Sequence, residues 1–208
     1  MVMVAIMTAL VVVLQLLGSF IRFGIFSVSL VLVPILIGAA VCGVGAGAWL
    51  GFAFGLAVLL SGDAAAFLAV NPFGTIVTVL VKGTAAGLIA GLIYKHLTVL
   101  CKSLAQKRTP SDKEWKNKCV SWIYKYLPVV ASAVACPVVN TGIFLLGCRL
   151  FFYETVAAWG AALGFANAAE YMFVGLAGMN FVFELVTNVV LVPVVVRLLS
   201  MNEKLFKF

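Results

Sequence analysis

The chain has 208 residues, 64% of them hydrophobic and only 10% charged, with a mean hydropathy of +1.20. A soluble domain carries roughly 25% charged residues, so composition excludes a soluble enzyme. The formal net charge of +7 is no nucleic-acid signature, because eight of the fourteen Lys and Arg crowd between Lys95 and Lys125. The apolar runs approach the roughly 20 residues a spanning helix needs and lack the alternation of a membrane barrel.

The sequence therefore predicts an all-α integral membrane protein, a single domain of six transmembrane helices over about 2–20, 25–41, 43–61, 73–94, 122–152 and 171–199. A basic loop at 95–121 sits between the fourth and fifth. Lys and Arg near span ends resist translocation, so this loop is cytoplasmic and the orientation of every span follows from it. Both termini then lie in the cytoplasm.

Span 1 opens with no basic residue before its apolar run and reads as a span, not a cleavable leader. It carries Ala5 and Ala9, a small-x-x-x-small step that lets another helix approach closely, and a lone polar Gln15. Arg22 to Ser27 forms a short outer loop. No charge occurs from Phe23 to Gly62, a length suited to a hairpin of two spans that turns between Gly38 and Gly47. Pro34 is expected to kink span 2. Gly43, Gly47, Gly51 and Gly55 put a smooth face on span 3, repeated by Gly83, Gly87 and Gly91 on span 4, so these two are expected to pack backbone to backbone. Asn71-Pro72-Phe73-Gly74 marks a turn and a helix start.

Lys82 lies inside span 4, and intramembrane charges face protein or a wet cavity. It is roughly 20 Å from the cytoplasmic end, at 1.5 Å per residue. Span 5 holds Pro128 and Pro137, then Asn140-Thr141. The outer segment from Tyr153 to about Ala169 is too apolar for a free loop and is expected to form a short helix over the outer face. In span 6, Asn180, Glu184 and Asn188 recur every fourth residue and share one face. Glu184 and Lys82 lie at similar depth, so Lys82 either pairs with Glu184 or meets a ligand. A pocket walled by aromatics with a few placed polar groups is the usual small-molecule site. Its candidate polar members are Lys82, Asn140, Thr141, Asn180 and Glu184, with Phe73, Trp159, Phe165 and Phe181 as walls. Asn188 reads as interhelical.

No catalytic set emerges. His96 is the one histidine, at a cytoplasmic helix end, so neither a metalloprotease motif nor a metal site can be completed. The five cysteines show no C-x-x-C and imply no disulfide framework or zinc site. The phosphate-binding G-x-x-x-x-G-K-[ST] loop is absent, and no cofactor is implied.

Taken together these segments resemble the substrate-binding S component of an energy-coupling factor (ECF) vitamin transporter, over nearly the full length. The resemblance rests on Ala5-x-x-x-Ala9, the stretch from Val28 through Pro34 to Gly38, the glycine-rich third span, and Lys82-Gly83 leading to Ala90-Gly91-Leu92-Ile93-Tyr94-Lys95. Asn140-Thr141 and Asn180-x-x-x-Glu184-x-x-x-Asn188 complete it. It implies a protein of the bacterial cytoplasmic membrane that binds a water-soluble vitamin at its outer face. It also implies that Ala5 and Ala9 dock onto a transmembrane scaffold protein accompanied by two ATPases, and that the subunit reorients in the membrane to deliver cargo. Asn140-Thr141 is similar to the pantothenate and folate branch, with a lean to pantothenate. A standalone secondary transporter, for which no internal repeat is seen, and a structural membrane subunit are the alternatives.

Overall fold

The structure, a computed structural model, describes residues 2–19, 22–23, 26–27, 30–107 and 114–201. The midpoint of the basic segment (108–113), the tail from 202, and Val28 and Ser29 of the sequence stretch before Pro34 lie outside the described residues. The helices are α1 (Val2–Gly18), α2 (Leu32–Cys42), α3 (Val44–Leu60), α4 (Ala65–Val70), α5 (Pro72–Lys107), α6 (Glu114–Phe151), α7 (Tyr153–Ala162) and α8 (Ala168–Glu170). A π-helical turn sequence, Tyr171–Gly178, then leads into α9 (Met179–Val190) and α10 (Val192–Met201). The runs Pro72–Lys107, Asn117–Phe151 and Ala168–Ser200 are each long and apolar enough to cross a membrane, and α1, α2 and α3 are shorter apolar helices.

Three local readings are corrected. Residues Arg22–Phe23 and Phe26–Ser27 pair as a minimal antiparallel ladder, β1 and β2, so the second helix opens at Leu32 and not near residue 25. Pro34 consequently falls in the first turn of α2, where its missing N–H has no intrahelical partner to lose, and no kink is required of it. The basic segment 95–121 is not a plain loop, since α5 runs on to Lys107 and α6 begins at Glu114. Lys is a good helix former, so a basic run need not end a helix. At 36 and 38 residues, α5 and α6 are each roughly 55 Å long, well beyond the roughly 30 Å hydrocarbon core.

The turn between α2 and α3 is made by Gly43 alone, at φ +94°, a left-handed conformation that glycine adopts without steric cost. Asn71 caps α5, its Oδ1 accepting from the Gly74 N–H at 3.0 Å, and Pro72 takes the first helical position. The segment from Tyr153 does fold, with α7 followed by α8, where Asn167 Oδ1 accepts from the Glu170 N–H and the Glu170 carboxylate accepts from the Ala166 N–H.

The expected contact of the two glycine faces is present. Gly47 and Gly51 of α3 face Gly87 and Gly83 of α5 so closely that a Cβ on either member would enter the carbonyl of the other, and a Cβ on Gly55 would stand 2.9 Å from the Val79 carbonyl oxygen. Close backbone contact of this kind gives dispersion energy where lipid offers no hydrophobic gain. Gly83→Ala is therefore expected to lower stability by about 1–3 kcal/mol through overpacking. Gly142→Ala, at a glycine with nothing within 4 Å of the added carbon, should leave it level or slightly raised. Thermal unfolding in detergent checks both.

Two apolar clusters result. One joins α1, α2, α3, α5, α6 and α10 through residues such as Val11, Leu32, Leu50, Phe54, Val79, Val129 and Leu199. The other gathers Phe67, Cys148, Phe152, Val156, Tyr171 and Leu176 beneath α4, α7 and the π-helical segment. The seam between them is where the polar residues lie.

Candidate substrate-binding site

A cavity occupies that seam. Phe54, Val58 and Val79 of the first cluster wall it on one side, and Phe67, Phe144, Cys148 and Phe152 on the other. Its polar members are Gln15, Asp63, Thr75, Thr78, Lys82, Asn180 and Glu184. It contains about 630 Å³ of atom-free space, its mouth included. A smaller side cavity is lined by Asn140 and Thr141 and shares Lys82, Phe144 and Asn180 with the larger one.

Each anion in this site is held by an amide. Glu184 is 1% exposed, and a buried carboxylate is tolerated only when hydrogen-bonded or paired. Its Oε2 accepts from Asn140 Nδ2 at 3.2 Å and its Oε1 from Asn180 Nδ2 at 3.1 Å. Asn188 donates instead to the Glu184 backbone carbonyl at 2.9 Å, one turn back along the same helix, and lines neither cavity. Asp63, in the turn before α4, accepts from Gln15 Nε2 at 2.7 Å, which ties α1 to the cavity mouth.

Lys82 behaves differently. Its ammonium stands 5.3 Å from the centre of the Phe144 ring and 5.9 Å from that of Phe54, within cation–π range. Among the described residues it is in ion-pair contact with no carboxylate, although Glu184 lines the same cavity. The direct Lys82–Glu184 pair is thus replaced by amides on the carboxylate and rings around the ammonium. Equal depth in two helices brought the two charges into one cavity without bringing them into contact.

Two polar atoms here are buried without a partner: Asn140 Oδ1 and Thr78 Oγ1. Thr78 reaches the cavity because Gly147 of α6 leaves room for it; a Cβ there would overlap the Thr78 side chain.

Of the sequence candidates, Lys82, Asn140, Thr141, Asn180 and Glu184 come together at the two joined cavities. None of the aromatic candidates lines either cavity. Phe73 is 72% exposed, Phe181 lines neither cavity, and Trp159 and Phe165 stand one layer behind. Trp159 packs edge-on against Phe67 at 5.5 Å, and Phe165 lies tilted against Tyr171 at 5.2 Å. The rings that do line the space are Phe54, Phe67, Phe144 and Phe152. Phe144 was legible in principle, since it lies four residues after Asn140 and so on the same face of α6.

At the far end of α1, Ala5 and Ala9 are exposed. They floor an open groove with Val4, Thr8, Val12, Val13 and Trp49. Trp49 forms its wall, held by a hydrogen bond from Nε1 to Thr8 Oγ1 at 3.2 Å.

These features define a multi-pass membrane protein with a cavity buried in a helical bundle. The chain belongs to the family described as the substrate-specific component of ECF transporters, which matches residues 1–199. It is accordingly a transporter subunit and not an enzyme. No curated protein and no solved structure shows significant similarity to it.

Proposed function

We propose that the protein binds a small water-soluble vitamin bearing a carboxylate, pantothenate before folate, and hands it to an ATP-driven importer of the bacterial cytoplasmic membrane. The observation that carries this is Lys82, a cation in a cavity of aromatic walls that, among the described residues, no carboxylate neutralises by contact. An intramembrane ammonium is costly unless compensated, and a cargo carboxylate compensates it. Asn180, Asn140, Thr141 and Thr78 offer hydrogen bonds to the remainder of the cargo. The single cation that lines the cavity among the described residues suits the one carboxylate of pantothenate better than the two of folate.

Six spans with both termini in the cytoplasm, and a cavity opening outward, complete the reading. The Ala5–Ala9 groove is where the transmembrane scaffold docks, with two ATPases supplying the energy. The subunit then reorients to deliver the cargo. Support for the groove comes from its two small exposed residues, which allow a partner helix to approach closely.

Equilibrium binding of radiolabelled pantothenate to purified protein tests the cavity. Phe144→Ala should weaken binding by about tenfold or more, as loss of a wall and of the ring beside Lys82 implies. Phe73→Ala should leave affinity within about twofold, as for a surface change remote from a site. The reverse order would place the site elsewhere.

A further inference from the structure

We infer that Glu184 is a positioning residue and that Asn140, oriented by it, presents an acceptor to an O–H or N–H of the cargo. This deepens the reading of the cavity above and rests on it.

A carboxylate only accepts hydrogen bonds. Asn140 and Asn180, each facing one oxygen of Glu184, must therefore turn their NH₂ groups toward it. With that face of the Asn140 amide committed, its Oδ1 is directed away from Glu184. This oxygen is buried and has no partner, in a residue 2% exposed that lines the side cavity with Thr141, Phe144, Asn180 and Lys82. Buried acceptors are nearly always satisfied, and an orphan on a cavity wall calls for a donor from whatever fills the cavity. Lys82 lines both cavities, so one molecule can set its carboxylate against the ammonium and a hydroxyl or amide N–H against Asn140. Pantothenate carries both kinds of donor. Glu184 itself gives both oxygens to protein amides and acts on the cargo through Asn140.

A double-mutant cycle tests this, with affinities for pantothenate, folate and biotin measured on the full chain in detergent. Glu184→Gln leaves one accepting oxygen where two amides need one each, so one amide must turn. Asn140→Ala and Glu184→Gln are each expected to weaken binding by about tenfold or more. The double variant should be no weaker than Asn140→Ala alone, within about twofold, because residues acting through one another are not additive. Losses that multiply, or full affinity in Glu184→Gln, would overturn the assignment of Glu184. Should Glu184→Gln fail to fold, an analogue of the bound cargo methylated at its donor serves instead. It should lose affinity on the wild type and lose none further on Asn140→Ala; equal losses on both proteins would overturn the role of Asn140. A wild type that binds none of the three vitamins would overturn the proposed function itself, and the inference with it.

Discussion

Lys82→Met is expected to weaken binding of a carboxylate cargo by at least about 100-fold, equivalent to about 2.7 kcal/mol. Methionine keeps most of the apolar stem that packs in the cavity and removes only the charge. Both carboxylates at the site are committed elsewhere, Asp63 to Gln15 and Glu184 to Asn140 and Asn180. On the proposed reading a cargo carboxylate meets this ammonium, and removing one partner of a buried charged pair typically costs about 2–5 kcal/mol. The ligand-free protein gives the discriminating readout. If Lys82 were one half of a structural ion pair, its loss would strand Glu184 and cost about 3–5 kcal/mol of stability. With Glu184 satisfied by amides, the ligand-free melting temperature of Lys82→Met should hold or rise. Lys82→Arg should not restore affinity, because the planar guanidinium is no substitute for a compact ammonium between the Phe54 and Phe144 rings.

Replacing Ala5 and Ala9 together by Trp is expected to abolish vitamin uptake in cells while leaving cargo affinity of the isolated protein within about twofold, as for changes remote from a site. The two positions floor the open groove on α1, and two indoles would fill it, excluding the close helix approach that small residues permit. Cargo affinity should survive because neither residue lines the cavity. The two measurements separate docking from binding: co-purification with the scaffold protein should be lost together with uptake. Uptake that persists in the double variant would move the docking face off α1.

Much of this arrangement was legible from residue spacing. Glycines every fourth residue on two helices announced a backbone contact, and Gly47, Gly51, Gly83 and Gly87 make it. Asn180 and Glu184, one turn apart, were expected on one face and do bond to each other. Periodicity, however, tells which face of a helix meets protein and not which residue of a neighbour it meets. Equal depth therefore left a Lys82–Glu184 pair and a ligand contact both open, and it is the span-5 amide of Asn140 that takes the carboxylate. The same limit hid Gln15–Asp63, whose members are 48 residues apart. Phe73 lies off the cavity for a different reason: it follows the helix-opening Pro72, and nothing in the local pattern says on which side of the first turn the ring emerges. The π-helical stretch Tyr171–Gly178 was invisible as well, since a widened turn leaves no periodic mark in a uniformly apolar run. Its place just before Asn180 fits the tendency of such segments to lie at functional sites.

A thermal-shift panel on the purified protein decides most directly whether the cavity is a vitamin site. Pantothenate, folate, riboflavin, thiamine, biotin, pyridoxine, cobalamin and niacin are each added near saturation. A ligand that binds only the folded state stabilises it by about 2.7 kcal/mol at 100 times its Kd. Pantothenate, or failing it one other carboxylate vitamin, should raise the melting temperature of the wild type and not that of Lys82→Met. A shift produced only by the cationic thiamine, or equal shifts in both proteins, would contradict a carboxylate cargo held at Lys82.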